Sequence, residues 1–186
     1  MKKVLLHILF LGFILPLSAQ QMQWASEVVD KSSQYGNEVY SAQQALGIPN
    51  AINGNSTEMM AWAPGREESS LGEHLHVRYT VSMRIRQIVV SESKNPGAIR
   101  RITLFDDNRK RHVIYENFNP APTGKATQFF SHTFPLTEYK VSEVLIELKT
   151  SAVPGSNNID AIGISPNEQK YQGPQIEEVV LSLIHI

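Results

Sequence analysis

The sequence predicts an all-β fold, an antiparallel jelly-roll β-sandwich with one short helical turn, preceded by a signal peptide. Three observations carry that expectation. Short apolar runs with period-two alternation recur along the chain, Gly- and Pro-containing turns separate them, and no stretch has sustained helical periodicity. A parallel α/β fold needs helices of ten or more residues between its strands, and the spacing leaves no room for them.

Met1 to Gln20, MKKVLLHILFLGFILPLSAQ, pairs two lysines with an apolar run and ends on small residues. It reads as a secretory signal peptide cleaved after Ala19 or Gln20, since the run is shorter than the roughly 20 residues of a spanning helix. The expected sandwich domain is 21–166. Within it, Gln21 to Tyr40 suits an irregular segment or an edge strand, and Tyr40 to Gly47 suits one helical turn capped by Ser41 and ended by Gly47 and Pro49. A polar loop follows to Met60, and then comes Trp62, an aromatic that is either buried or lines a surface groove.

From His74 the alternation is clean. Leu75, Val77 and Tyr79 share one face, and His74, His76 and Arg78 share a solvated one. The His-x-His pair has zinc-binding geometry but no third ligand nearby, so it reads as an exposed pair. The central element is Ile85 to Phe105, two strands about the turn Lys94-Asn95-Pro96-Gly97, where Pro96 presets φ and Gly97 takes a positive φ as the chain reverses or changes sheets. After that turn Ile102 and Leu104 are expected inside, with Arg101 and Thr103 in solvent. Further strands are expected at 111–115, 128–134, 141–148 and 159–164.

Two acids break the pattern. Glu92 is in phase with Ile88 and Val90, and Asp160 is in phase with Ile162 and Ile164, so each carboxylate enters an apolar face and needs something to offset its desolvation. One account is a structural calcium ion held by Asp160, Glu92 and carbonyls of the Gly47–Asn50 loop, Asn50 included. The other is hydrogen bonding to loop amides, or pairing with Arg100 or Arg101.

Composition excludes several classes. The 186 residues carry a net charge of −1 with interspersed signs, so nucleic acid is not an expected partner. There is no cysteine, which removes disulfides, thiolate metal sites, cysteine catalysis and a lipidated cysteine together. No nucleophile elbow, zinc-protease helix, phosphate loop or dinucleotide fingerprint is present, and the acid pairs Glu67-Glu68 and Asp106-Asp107 read as solvated loops. The protein is not expected to be an enzyme.

Four blocks in order, Ser41-Ala42-x-x-Ala45-Leu46-Gly47-x-Pro49-Asn50, Ala61-Trp62, Glu92-x-x-Asn95-Pro96-Gly97-Ala98 and Ile159-Asp160-Ala161-Ile162, resemble galactose-binding-like jelly rolls related to the discoidin, or coagulation-factor C-type, domains. The nearest resemblance is to the exported N-terminal module of envelope proteins of the outer-membrane protein A family in Bacteroidetes. The chain departs from discoidin domains in lacking their cysteine pair and in having Gly47-Ile48-Pro49 after the helical turn. The resemblance implies an exported, non-catalytic module, in the periplasm or on the outer membrane, that binds carbohydrate or a cell-envelope component, with Trp62 and Tyr40 as stacking platforms. The rival expectation is a spacer that docks onto downstream domains and takes no small molecule. Discrimination rests on Trp62, because a fully buried ring favours the spacer.

The stretch 167–180 reads as a polar linker leading into a missing downstream region. Residues 181–186, Leu-Ser-Leu-Ile-His-Ile, match the translation of a sequencing-library adaptor and are expected to be an artefact, with the tail from 171 making few contacts.

Overall fold

The computed structural model describes residues 22–51 and 58–173. The expected signal peptide and the segment from 174 onward lie outside them. The chain forms nine strands: β1 (Gln23–Trp24), β2 (Glu27–Lys31), β3 (Glu73–Met83), β4 (Gln87–Lys94), β5 (Ile99–Asp106), β6 (Arg111–Glu116), β7 (Gln128–Thr133), β8 (Val141–Leu148) and β9 (Asn158–Ser165). They build two antiparallel sheets, one ordered β1-β9-β4-β7 and the other β2-β3-β8-β5-β6. This is the expected sandwich.

Alternating side chains close it. Leu75, Val77 and Tyr79 of β3, Ile102 and Leu104 of β5 and Val144 and Ile146 of β8 face Ile88 and Val90 of β4 and Ile159, Ile162 and Ile164 of β9. Each fully buried aliphatic side chain contributes about 1.5–3 kcal/mol by leaving water. Strands β4 and β9 are buried along nearly their whole length, because the outer face of their sheet is covered too. Trp24 and Met22 lie over Gly163, where an added Cβ would come within 2.7 Å of the Met22 sulfur.

The turn between β4 and β5 carries the chain from one sheet to the other. Gly97 has φ of 116°, and a Cβ there would lie 2.2 Å from the Ala121 carbonyl oxygen, so both backbone conformation and close approach require glycine.

Several expectations are corrected. The single helical turn is a 3-10 turn, Ala42–Ala45, and two more occur at Glu58–Met60 and Thr150–Ala152. Ser41 does not cap it with its side chain, since its hydroxyl donates to the Glu38 carbonyl at 2.8 Å. Thr103 is buried although it shares a face with Arg101, because the outer surface of β5 is packed with charged neighbours. Arg101 itself reaches Glu116 at 2.8 Å and Glu147 at 3.5 Å. The expected solvated face of β3 is likewise an ion network: Arg78 binds Glu27 and Glu143, His76 lies 3.0 Å from Glu143, and His74 lies 3.0 Å from Asp30. Asp106 is buried rather than solvated, accepting from the amides of Asn108 and Lys110 and from His112. The polar linker after β9 is also docked. The Tyr171 amide donates to Gln87 Oε1 at 2.9 Å, and its ring meets Trp24 and Phe129 edge-on.

Candidate functional site

The candidate site is a cleft at the loop end of the sandwich, where β4 finishes and β9 begins. It is built outward from Trp62. That residue is fully buried and forms a two-way backbone bridge with Ile159, at 2.8 and 2.9 Å, which ties the loop before β3 to the start of β9. Its indole N–H donates to the Ser33 carbonyl at 2.9 Å. Two residues further on, the Tyr35 amide donates to the carbonyl of Ala63, the neighbour of Trp62. The indole therefore holds the 33–35 loop from behind. As a stacking platform Trp62 is excluded, because no part of its ring reaches solvent.

Tyr40 is at the site, as expected, and Tyr35 joins it. The two rings meet edge-to-face with centroids 5.5 Å apart, and Tyr35 is 72% exposed. Tyr40 sits at φ of 58°, a conformation that costs a non-glycine residue energy. The loop holds it there: its amide donates to Met59 O, and its carbonyl accepts from the Ala63 amide. The rings flank a cavity of about 200 Å³ whose other walls are Ala63, Glu67, Lys94, Ser156 and Asn158. An apolar ring beside a carboxylate, an ammonium and a hydroxyl is the combination that a polyhydroxylated ring requires: a surface for its C–H groups and partners for its hydroxyls.

The acids expected to bind a cation do not come together. Pairing of β4 with β9 skips Asp160: Ser91 faces Ala161 while Glu92 faces Ile159. Asp160 is thus the extra residue of a β-bulge, which is why Ile159 and Ile162, three positions apart, both reach the core. The bulge turns Asp160 to the outer face, beside Ser91, whereas Glu92 stays on the inner one with Val90.

Each carboxylate is then satisfied by protein donors. Asp160 Oδ1 accepts from the amides of Asn50 and Ala51, both at 3.1 Å, and Oδ2 accepts from the Asn50 amide and from Ser91 Oγ at 3.0 Å. Glu92 accepts from the Gly97 amide and from Gln128 Nε2, both at 2.8 Å. Arg101 instead binds Glu116 and Glu147. Burial pushes both carboxyls above their usual range, and the hydrogen bonds only partly offset it. The N–H and O–H groups facing Asp160 are donors, so the set at Asp160, Glu92 and Asn50 does not fit a calcium ion, which needs six or more oxygen ligands. Among the described residues no cluster of three or more His, Asp or Glu has metal-binding geometry.

Sequence reasoning missed Tyr35, Glu67, Lys94 and Ser156 as cleft residues. Tyr35 had a signal, an aromatic between Gln34 and Gly36 in a polar stretch. The rest are brought in by loops whose paths no local pattern encodes.

Solved structures share this architecture. A family 32 carbohydrate-binding module from Clostridium perfringens, solved in complex with GalNAc-β-1,3-galactose, superposes with a TM-score of 0.53 at 12% identity, covering 77% of this chain and 94% of that one. The family 32 carbohydrate-binding module of Streptococcus pneumoniae EndoD gives 0.50 at 8% identity over 76% and 95% of the two chains. Allantoicase from Saccharomyces cerevisiae also gives 0.50, at 13% identity over 75% of this chain and 40% of that one, so the same fold occurs within an enzyme. At these identities the likeness establishes the galactose-binding-like jelly-roll fold alone. No curated protein matches the sequence. A family profile matches residues 18–173, nearly the whole of the described sandwich, and on that match the chain belongs to the family described as Pappalysin-1, SD scarf domain, C-terminal.

Proposed function

We propose that the protein is an exported, non-catalytic binding module that takes a carbohydrate in the cleft between Tyr35 and Tyr40. The observation that carries this reading is the exposed Tyr35 ring set against Tyr40 above a polar-walled cavity. Family 32 carbohydrate-binding modules of the same fold support it. In this reading a sugar lays its C–H face on Tyr35, while Glu67 accepts from its hydroxyls and Lys94 and Ser156 donate to them. A setting in the periplasm or on the outer membrane, and docking to downstream domains, belong to the same proposal and rest on the leader-like start and the family resemblance.

The test is glycan-array screening followed by calorimetry on the best hit. Tyr35→Ala should weaken binding about tenfold, the worth of one aromatic contact of about 1–1.5 kcal/mol, without shifting the melting temperature. Retention of full affinity by Tyr35→Ala, or an array on which nothing binds, would overturn it. The burial of Trp62 favours a second reading, the spacer, and a silent array is the result which that reading expects.

A further inference from the structure

We infer that the five-stranded sheet carries a second binding site, on its outer face and away from the tyrosine cleft, for an acidic polysaccharide. Two adjoining cavities of about 260 and 250 Å³ share Leu71, Gly72, Arg100 and Leu148 and form one groove. It runs from the face of the sheet at Phe105 and Arg111, past Arg100, to Phe118 and Lys149. None of its lining residues lines the tyrosine cleft.

Charge identifies the occupant. Each carboxylate along the groove already has a partner: Asp30 with His74 at 3.0 Å, Glu73 with Arg66 at 2.9 Å, and Glu147 with Arg101 at 3.5 Å. The cations are not so matched. Among the described residues neither Arg100 nor Arg111 has a carboxylate partner; the Arg111 guanidinium lies over the Phe105 ring, 5.5 Å from its centroid, and Lys149 reaches only the Phe118 carbonyl. The groove therefore presents uncompensated positive charge, in the planar form that binds carboxylate or sulfate through paired hydrogen bonds.

Beside these cations stand two of the most exposed apolar side chains described, Leu71 at 86% and Phe118 at 69%. A ligand that carries anions at intervals along a chain with apolar faces meets both features. An extended peptide ordinarily gains affinity by adding main-chain hydrogen bonds at a sheet edge. Here the floor is the face of β3, β8 and β5, whose backbone groups are already used in pairing with one another, so recognition falls to side chains. Charged groups for carboxylates and rings for C–H faces suit a uronic-acid chain better than a peptide.

The test uses the whole chain and three probes: polygalacturonate, its fully methyl-esterified form, and polyglutamate. Binding is measured by affinity electrophoresis and calorimetry. Polygalacturonate should bind, and the neutral ester should not. Arg100→Gln with Arg111→Gln should weaken polygalacturonate binding at least tenfold at an unchanged melting temperature. Lys140→Gln with Lys170→Gln, at two exposed cations outside the groove, should have no such effect. Tyr35→Ala should also leave it intact, so failure of the cleft and failure of the groove are separate results. Equal binding of the ester, stronger binding of polyglutamate, an equal loss in the lysine variant, or full retention by the arginine variant would each overturn the inference.

Discussion

Replacing Asp160 separates a carboxylate that organises backbone from one that waits for a metal. In Asp160→Ala the Ala51 amide and the Ser91 hydroxyl, both in buried hydrogen bonds, lose their acceptor. A buried donor left without a partner costs about 1–3 kcal/mol. The amide of exposed Asn50 finds water, and removal of a desolvated charge returns part of the loss. A net cost of about 3 kcal/mol follows, or a drop in melting temperature of roughly 6–12 °C for a domain of this size. Asp160→Asn should behave differently. Oδ1 alone receives both loop amides, so an amide oxygen placed there keeps them, and the new NH₂ finds an acceptor in Ser91 once that hydroxyl rotates. Its loss should stay below about 1 kcal/mol. The assay is thermal unfolding by circular dichroism for the wild type and both variants, with and without a chelator. If Asp160→Asn falls as far as Asp160→Ala, and the wild type melts lower in chelator, the carboxylate is a metal ligand and the reasoning fails.

Glu92→Gln should gain on the wild type as pH rises. Burial raises the folded-state carboxyl, so its contribution is fully present below the unfolded value near 4.5 and is lost as pH climbs through the folded one; the difference in melting temperature should widen from about pH 4.5 towards neutrality and stay flat below it. Trp62→Phe should cost about 2 kcal/mol by leaving the Ser33 carbonyl without its donor and a small void, and it should weaken any ligand in the cleft because Tyr35 loses its backing; an unshifted melt would count against Trp62 as the support. Gly163→Ala should cost about 1–3 kcal/mol by pushing Trp24 and Met22 off β9, visible as faster amide exchange confined to β1 and its partner; uniform exchange would show that β1 is not the segment displaced.

Much of the framework was legible because it depends on local pattern. Period-two alternation located β3, β5 and β8, and Pro96-Gly97 located the change of sheets. The register of Asp160 was not legible, since counting by twos from Ile164 assumes an uninterrupted strand, and the bulge adds one residue. That insertion reversed the face of the carboxylate and produced an apparent pair with Glu92 that does not exist. Trp62 stands in the expected block but plays another part, because its ring holds the loop that presents an aromatic instead of serving as one. The groove cations were invisible for a different reason. Arg100 and Arg101 are adjacent and alike in sequence, and only the cross-strand partners Glu116 and Glu147 decide that one is neutralised and the other is not.

The edge-on contact between Trp24 and Tyr171 has a mechanical meaning. It places the first strand and the segment that leaves the last one side by side, with ring centroids 5.6 Å apart. Tension applied between Met22 and Gly173 would therefore be borne first by two ladder positions, Gln23 with Ile164 and Trp24 with Gly163, and by one aromatic contact. That clasp opens like a zipper, one rung at a time, and shields the interior strands until it has gone. A module fastened in this way yields at its doorway under load while both of its binding surfaces, which are formed by other strands and loops, keep their shape.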